Sequence, residues 1–311
     1  MNKIKLILLL ISISINSLAT EKPMLKIAII QTISHPALDN TYKGIIDKLE
    51  NEGYVNEKNI EIIFANAQGD AILSNQIANK FITKKPELLI TIATLATQSA
   101  ANATRNKNIP VVFSSVTDPS PIIKNNSNIT GVSNFISLEP QLTLFKEILP
   151  NMKNLGFIYN PGEINSVKML ETLKIKAKEY NINIVPAIAS KTTEVSTATT
   201  KLIGKVDAIF ISNDNTALAA FSVITKISNK AKTPVFVSDI DMVEKGALAA
   251  LGPNQYNIGA LAAEMAISIL KGNNPKNIKI IYPDKTDLSI NKKMAETLGI
   301  NILQTILDRI N

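Results

Sequence analysis

Short apolar runs alternate with amphipathic segments along almost the whole chain, which limits the fold to very few classes. Residues 25–31 (LKIAIIQ) and 88–94 (LLITIAT) are apolar runs of the length and type that form buried strands. In segments such as 71–83, apolar residues recur at helical spacing, with Ile72, Ile77 and Phe81 on one face. Strands that alternate with helices in this way predict a parallel sheet covered by helices on both faces.

The alternation occurs twice. In the first unit, near residues 24–135, we predict strands over 25–31, 60–65, 88–94, 110–116 and 128–133, with helices after Asp39 and over 71–83 and 95–105. A helix over 138–149 follows, and then the pattern restarts. The second unit predicts strands over 155–159, 182–189, 208–212 and 234–239, with helices over 166–180, 194–203 and 217–229. The predicted fold class is therefore α/β, with two doubly wound parallel-sheet lobes and a cleft between them.

The last part of the chain predicts further elements that return to both units. These are a strand near 247–251, a helix near 258–270, strands near 278–282 and 288–290, and a last helix from about residue 292. We assign residues 20–135 and about 253–285 to lobe 1, and residues 136–252 and about 286–311 to lobe 2. Several crossings between lobes predict a hinge that closes the cleft over a ligand.

The first nineteen residues have the pattern of an export signal. Lys3 and Lys5 precede an apolar stretch over 6–15, and Ser17 and Ala19 are the small residues that a signal peptidase reads. The stretch is too short for a spanning helix of about 20 residues. We expect cleavage after Ala19 and a soluble protein in the periplasm.

Composition excludes several classes of protein. The chain has no cysteine and a single histidine, His35, so thiolate catalysis and Cys- or His-rich metal sites are excluded. Phosphate-loop, dinucleotide-binding and serine-hydrolase motifs do not occur, and we expect neither an enzyme nor a cofactor. The net charge of +7 invites a nucleic-acid interpretation, but we expect no nucleic-acid partner because Arg105 and Arg309 are the only arginines.

Small polar residues cluster at the predicted strand ends, which in two facing sheets point into one cleft. They supply hydrogen-bond donors and acceptors without a reactive nucleophile, as in a binding site. The same residue types also cap helices and form turns, and for each of them that role is the alternative. The candidate ligand-binding residues are Gln31, His35, Thr94, Thr97, Gln98, Ser115, Thr117, Asp118, Tyr159, Asn160, Asn165, Ser166, Asp214, Asn215, Asp239 and Asn254.

Two groups of these candidates match the two ends of an α-amino acid. The segment 94–98, at the start of a helix, suits a carboxylate because free N–H groups and the helix dipole favour an anion there. Ser115 and Thr117 join this group. We expect Asp214 to take the ligand ammonium with help from Asn215 and Asp239, with a helix cap as the competing role of Asp214.

Four aromatic residues lie near the same loops in the sequence. An aromatic ligand would pack on one or two of them, and core packing is the alternative for each. They are Tyr42, Phe135, Tyr159 and Tyr256.

At these residues the chain resembles the ABC-transporter substrate-binding proteins of the type I periplasmic binding protein fold, in the group associated with tryptophan, tyrosine and phenylalanine uptake. The matching stretches extend from about residue 26 to residue 301. They are 35–39 (HPALD), 67–70 (AQGD), 92–94 (IAT), 96–98 (ATQ), 109–113 (IPVVF), 116–119 (VTDP), 130–132 (TGV), 159–161 (YNP), 165–166 (NS), 214–216 (DNT), 241–243 (DMV), 246–252 (GALAALG), 270–272 (LKG) and 291–293 (NKK).

The resemblance implies a monomer that captures a small solute, most simply an aromatic amino acid, and delivers it to an ABC permease with a cytoplasmic ATPase. Two positions differ from the family pattern. Leu95 stands where a proline is common, and 253–256 (PNQY) stands where an acidic and aromatic pair is frequent, which bears on the ligand side-chain pocket. The alternatives are a ligand-sensing subunit of the same fold, or a non-amino-acid solute such as a sugar or nucleoside.

Overall fold

The computed structural model describes residues 24–124 and 126–310. The predicted signal peptide, residues 1–19, lies outside the described residues. The strands, in chain order, are β1 (Leu25–Gln31), β2 (Ile60–Asn66), β3 (Leu88–Ile92), β4 (Val111–Val116), β5 (Ile129–Ser133), β6 (Asn154–Tyr159), β7 (Asn183–Ile188), β8 (Ala208–Ile211), β9 (Val235–Val237), β10 (Ala249–Gly252) and β11 (Asp287–Ile290).

Helices follow most of these strands. They are α1 (Pro36–Asn51), α2 (Ala71–Thr83), α3 (Thr94–Thr104), α4 (Ser120–Ile123), α5 (Leu138–Ile148), α6 (Ile164–Lys176), α7 (Val195–Leu202), α8 (Asn215–Ala219), α9 (Phe221–Lys230), α10 (Gln255–Leu270), α11 (Lys292–Leu298) and α12 (Gln304–Leu307). Short 3₁₀ helices cover Ala177–Tyr180, Thr192–Glu194, Ile240–Met242 and Pro275–Asn277. None of the described helices is both long and apolar enough to cross a membrane.

Within the described residues, the strands form two sheets. The first has the order β2-β1-β3-β4-β5 and is parallel throughout. The second has the order β11-β10-β9-β8-β6-β7 and is parallel except for β11, which runs antiparallel to β10. The predicted fold class, two α/β lobes with parallel sheets, is confirmed.

Each sheet is covered by helices on both faces, because its strands are apolar on both sides. We call the first sheet with α1–α4 and α10 lobe 1, and the second sheet with α5–α9, α11 and α12 lobe 2. In lobe 1, α1 and α10 enclose one core and α2 and α3 the other. In lobe 2, α5, α6, α11 and α12 cover one face, and α7–α9 cover the opposite face.

The chain crosses between the lobes at three places in the described part of the structure. These lie between β5 and α5, between β10 and α10, and between Ile281 and β11. The predicted strand near 278–282 is reduced to one bridge, in which Ile281 pairs with Val132. Pro283 follows closely and has no N–H to extend that ladder.

Several predicted helix boundaries differ from the structure. The helix predicted after Asp39 begins at Pro36, with His35 as its N-cap. Thr94, predicted at the end of a strand, is the first residue of α3. The predicted helix over 217–229 is divided into α8 and α9 at Ala220, whose φ of −107° and ψ of 22° are not helical.

Candidate ligand-binding site

The carboxyl ends of the two sheets face each other, and the residues that follow these strands line a narrow cavity of about 10 Å³ between the lobes. That is space for one water molecule at most, so the two walls are close together. Polar side chains form most of the lining. Its residues are His35, Ala37, Leu38, Ala93, Thr94, Ser115, Thr117, Asn134, Asn165, Asn213, Asn215, Leu218, Asp239 and Gln255.

Two residues on the lobe 1 wall have a backbone conformation that L-amino acids rarely adopt. Ala93 has a φ of 71° and a ψ of 170°, and Ser115 has a φ of 56°. Such residues cost of order 1–3 kcal/mol each and are concentrated at binding sites and switches. Ala93 lies at the turn from β3 into α3, and Ser115 lies at a bulge in β4. Both strained residues therefore lie in the wall of the cavity.

The N-terminus of α3 opens onto the cavity at Thr94. Ala93 provides no side-chain cap, and the first N–H groups of a helix have no partner within it. Thr32 Oγ1 accepts from the N–H of Ala96 at 3.1 Å. The N–H groups of Thr94 and Leu95 precede that position, so an anion can be bound here.

A hydrogen-bond network anchors Ser115 to the helices below it. Ser115 Oγ donates to Gln255 Oε1 at 2.8 Å and lies 3.1 Å from Thr41 Oγ1. Gln255, the first residue of α10, was not among the predicted site residues. This network holds the bulge of β4 in place against α1 and α10.

Asp239 is the acidic side chain in the cavity wall. It is 3% exposed, and one of its oxygens accepts from the N–H of Asp241 at 3.3 Å. Burial raises the pKa of Asp239 to about 8, and the neighbouring Asp241 acts in the same direction. A cation next to this carboxyl group would favour its ionised form.

Hydrogen bonds between the lobes close the cavity. Asn213 Nδ2 of lobe 2 donates to Thr117 Oγ1 and to Asn134 Oδ1 of lobe 1, both at 3.3 Å. His35 Nε2 of lobe 1 lies 3.3 Å from Asn215 Oδ1 of lobe 2. Burial lowers the pKa of His35 to about 4, so the imidazole is neutral at physiological pH. The lobes are therefore in direct contact through side chains that line the cleft.

A second cavity of about 170 Å³ adjoins the first and shares Thr94 and Asn165 with it. It also lies between the lobes and is lined mainly by apolar atoms. Pro121 and Ile122 of lobe 1 face Ile164 of lobe 2 across it. The polar side chains in its wall, besides the two shared residues, are Gln98, Asp118 and Lys168.

Asp214, the expected ammonium ligand, is not among the residues that line either cavity. Its Oδ1 accepts from the N–H of Ala217 at 2.7 Å, so it is the N-cap of α8. Its Oδ2 accepts from the N–H of Asn160 and from Ser166 Oγ, both at 2.6 Å. Burial and the nearby Glu163 raise the pKa of Asp214, while these hydrogen bonds oppose the shift. The structure therefore gives Asp214 the competing role of helix cap, and Asn160 and Ser166 support it inside lobe 2.

Four other predicted residues also lie away from the described cavities. Gln31 Nε2 donates to Asp39 Oδ1 at 2.7 Å, and Thr97 Oγ1 bonds to Ala93 O at 2.8 Å inside lobe 1. Asn254 caps α10, and Tyr159 packs against the lobe 2 core. These four side chains therefore make contacts within their own lobe, as expected of residues that cap helices or pack in the core.

The four aromatic residues proposed to contact a ligand ring also lie outside the two cavities. Tyr42 packs on Phe64 with ring centroids 4.6 Å apart, and Tyr256 donates from its hydroxyl to Asp47 at 3.0 Å. Phe135 is 38% exposed and, like Tyr159, is not among the residues that line the two cavities described. The apolar contacts to a ligand would therefore come from aliphatic residues and proline.

Comparison with known proteins identifies the family. The model of the ABC transporter substrate-binding protein family matches residues 26–310. The chain belongs to this family. It is 34% identical over 294 residues to the tyrosine-binding protein of Clostridioides difficile strain R20291, an alignment that covers 93% of this chain and 85% of that protein.

Two solved structures of similar sequence identity differ in how well they superpose. A complex with L-Trp from Streptococcus pneumonia is 32% identical, covers 93% of this chain and 99% of its own, and has a TM-score of 0.87. A ligand-free, open substrate-binding protein from Clostridium difficile is 33% identical, covers 93% and 98%, and has a TM-score of 0.68. As a whole, the present structure thus superposes better on the L-Trp complex than on the open protein.

Proposed function

We propose that this substrate-binding protein captures an aromatic L-amino acid in the interlobe cleft and delivers it to an ABC permease. The observation that carries the proposal is the pair of adjoining cavities, one polar and one apolar, that share Thr94 and Asn165. An amino acid with a ring side chain has the same division into a charged end and an apolar end.

The polar cavity suits the α-carboxylate and α-ammonium groups. The carboxylate would lie at the N-terminus of α3, beside the hydroxyl group of Thr94. The hydroxyl groups of Ser115 and Thr117 line the same cavity, and they would donate to the carboxylate only by releasing Gln255 and Asn134. The ammonium would meet Asp239, which lines the cavity, rather than Asp214, which caps α8. Because the cavity is narrow, we expect the lobes to be slightly further apart around a ligand.

The apolar cavity suits one aromatic ring. A cavity of about 150 Å³ lined by aliphatic and aromatic side chains binds benzene in another protein, and the apolar cavity here measures about 170 Å³. Pro121, Ile122 and Ile164 would contact the faces and edge of the ring. The names of two relatives, a tyrosine-binding protein and an L-Trp complex, support this class of ligand.

The proposal extends to the site of action. Residues 1–19 have the pattern of an export signal, and the family takes part in transport, so this protein would act in the periplasm, where we expect it to be a monomer. Its partners would be the ligand, the permease and the cytoplasmic ATPase, and it would catalyse no reaction.

A thermal-shift screen of the mature protein against the twenty amino acids, sugars and nucleosides tests the proposal. An aromatic amino acid at 100 times its dissociation constant should add about 2.7 kcal/mol to the free energy of unfolding. Mass spectrometry of ligand released from native protein provides an independent check. A shift with sugars or nucleosides but with no amino acid would overturn the proposal.

A further inference from the structure

Glu163 lies just behind the lobe 2 wall of the cleft, where its carboxylate accepts five hydrogen bonds. Oε2 accepts from Asn165 Nδ2 at 3.2 Å and from the N–H and Nδ2 of Asn215 at 3.0 and 2.6 Å. Oε1 accepts from the N–H and Oγ1 of Thr216 at 3.0 and 2.8 Å. All five partners are donors, so an ionised carboxylate, which can only accept, matches this position.

Glu163 fixes the orientation of the Asn215 side-chain amide. If the amide were reversed, Asn215 Oδ1 would take the place of Nδ2, 2.6 Å from a carboxylate oxygen, where two acceptors repel each other. The amide oxygen of Asn215 therefore faces the opposite lobe. There it lies 3.3 Å from His35 Nε2.

This orientation determines which ring nitrogen of His35 carries the proton. An amide oxygen accepts hydrogen bonds and cannot donate them, so His35 Nε2 is the donor. Burial lowers the pKa of His35 and keeps the ring neutral, and a neutral imidazole has only one N–H. His35 Nδ1 is consequently an acceptor.

The Nδ1 atom has no hydrogen-bond partner among the described residues, although it is buried. His35 precedes α1, but its side chain caps no N–H group there, and the first residue of the helix is Pro36, which has none to offer. His35 itself is 4% exposed and lines the polar cavity. A buried acceptor without a donor is unfavourable, so this atom is suited to a donor that arrives with the ligand.

We propose that Glu163 is a positioning residue that sets the tautomer of His35 through Asn215, so that His35 Nδ1 accepts a hydrogen bond from the ligand ammonium. This inference rests on the proposed function, since it requires a ligand with an N–H donor at its polar end. Asp239 lines the same cavity and accepts from the same ammonium, which has three N–H groups to share.

Nitrogen-15 NMR of the imidazole, with L-tyrosine as the probe, tests the proposal. The chain contains one histidine, so the two ring-nitrogen signals belong to His35 without ambiguity. With L-tyrosine bound, the wild-type ring should carry its proton on Nε2 and show a hydrogen-bonded Nδ1. In Glu163→Gln, the new amide can donate to Asn215 Oδ1, which lets the Asn215 amide reverse and moves the His35 proton to Nδ1.

Affinity should change together with the tautomer. We expect Glu163→Gln to weaken L-tyrosine binding about tenfold or more, because a hydrogen bond to a charged group is lost. Glu171→Gln is the matched control, since Glu171 lies on the exposed face of α6; it should leave both the tautomer and the affinity unchanged. If Glu163→Gln does not fold, Asn215→Ala removes the acceptor of His35 Nε2 and should give a mixture of tautomers.

The outcomes separate this inference from the proposed function. If L-tyrosine binds the wild type but His35 carries its proton on Nδ1, or if Glu163→Gln binds as tightly as the wild type, the inference is overturned and the proposed function stands. If L-tyrosine, L-tryptophan and L-phenylalanine all give no thermal shift, the proposed function fails, and the ammonium contact fails with it.

Discussion

Asp214 and Asp239 both follow strands of the lobe 2 sheet, yet their surroundings give them different roles. The Asp214 carboxylate accepts three hydrogen bonds from its own lobe, from Ala217, Asn160 and Ser166. Asp239 accepts one from Asp241 and lines the polar cavity. The first carboxylate is therefore used within the fold, whereas the second remains available to a ligand.

Replacing each aspartate by asparagine should separate the two roles. Asp214→Asn replaces an acceptor of three donors with a group that also donates, so we expect it to lower the free energy of unfolding by about 1–3 kcal/mol. L-tyrosine affinity should stay near that of the wild type. Differential scanning calorimetry of the ligand-free protein and isothermal titration with L-tyrosine measure the two quantities.

Asp239→Asn should instead keep the stability of the protein and lose affinity for L-tyrosine. The pKa of Asp239 in the folded protein, about 8, is above its ordinary value, so ionisation near pH 7 disfavours the folded state. At pH 7 the ligand-free carboxyl group is mainly protonated in the folded protein and ionised in the unfolded chain, so replacing it with a neutral amide should leave the melting temperature unchanged or raise it. Loss of one partner of a buried charged contact should weaken binding by about 2–5 kcal/mol, which is about 30-fold or more. If Asp214→Asn instead keeps the wild-type melting temperature and loses its affinity for L-tyrosine, then Asp214 is the ammonium ligand and the assignment to Asp239 is wrong.

The sequence alone cannot separate these two aspartates because a helix cap and a ligand anchor use the same residue types at the same strand ends. Which side chain reaches the cavity depends on the length of the turn between strand and helix. Thr94, Ser115 and Asp239 were predicted and do line the cavity, but Asn213 and Gln255 were not predicted. Glu163 was not predicted as a site residue either. The feature of the sequence that could have indicated it is its position directly before a helix, where an acidic side chain is favourable.

At the scale of elements, the alternation of strands and helices predicted the fold class because strand and helix periodicities differ clearly. The close packing of α1 on α10 has a weaker signal, since it depends on two glycines far apart in the sequence. A Cβ at Gly44 would lie 2.0 Å from Tyr256 O, and a Cβ at Gly259 would lie 2.0 Å from Thr41 O. The absence of side chains at both positions lets the two helix backbones approach each other.

Gly44→Ala should destabilise lobe 1. The added methyl group has to push α10 away from α1, and forced overpacking costs about 1–3 kcal/mol, occasionally more. That loss should exceed the small gain in helix propensity from glycine to alanine. Urea denaturation measures the effect, with Glu50→Ala as the control, because Glu50 is exposed on the same helix and its replacement should stay within about 0.5 kcal/mol. Equal stability of the two variants would show that the helices can separate freely.

At the scale of the molecule, the proposed function requires two lobes that can move apart and together. The chain crosses between them at three described places, and side chains of both lobes meet in the cleft. Periodicity predicted two sheets and several crossings, but it contains no information on how far the lobes close. The residue numbers at which we divide the chain between the lobes remain a prediction.

Ligand-driven closure should be visible in solution. We expect small-angle X-ray scattering to show a smaller radius of gyration when L-tyrosine is added, because a ligand that contacts both lobes favours the state in which they meet.

Asn213→Ala tests the contact between the lobes, since it removes the side chain of lobe 2 that donates to Thr117 and Asn134 of lobe 1. It should weaken L-tyrosine affinity by about 0.5–1.5 kcal/mol, the net value of such hydrogen bonds, without changing the scattering of a ligand-free, open protein. Asn183→Ala, at an exposed position on β7 away from the cleft, is the matched control. If L-tyrosine binds while the radius of gyration stays constant, the lobes are already closed without ligand, and hinge closure does not contribute to capture.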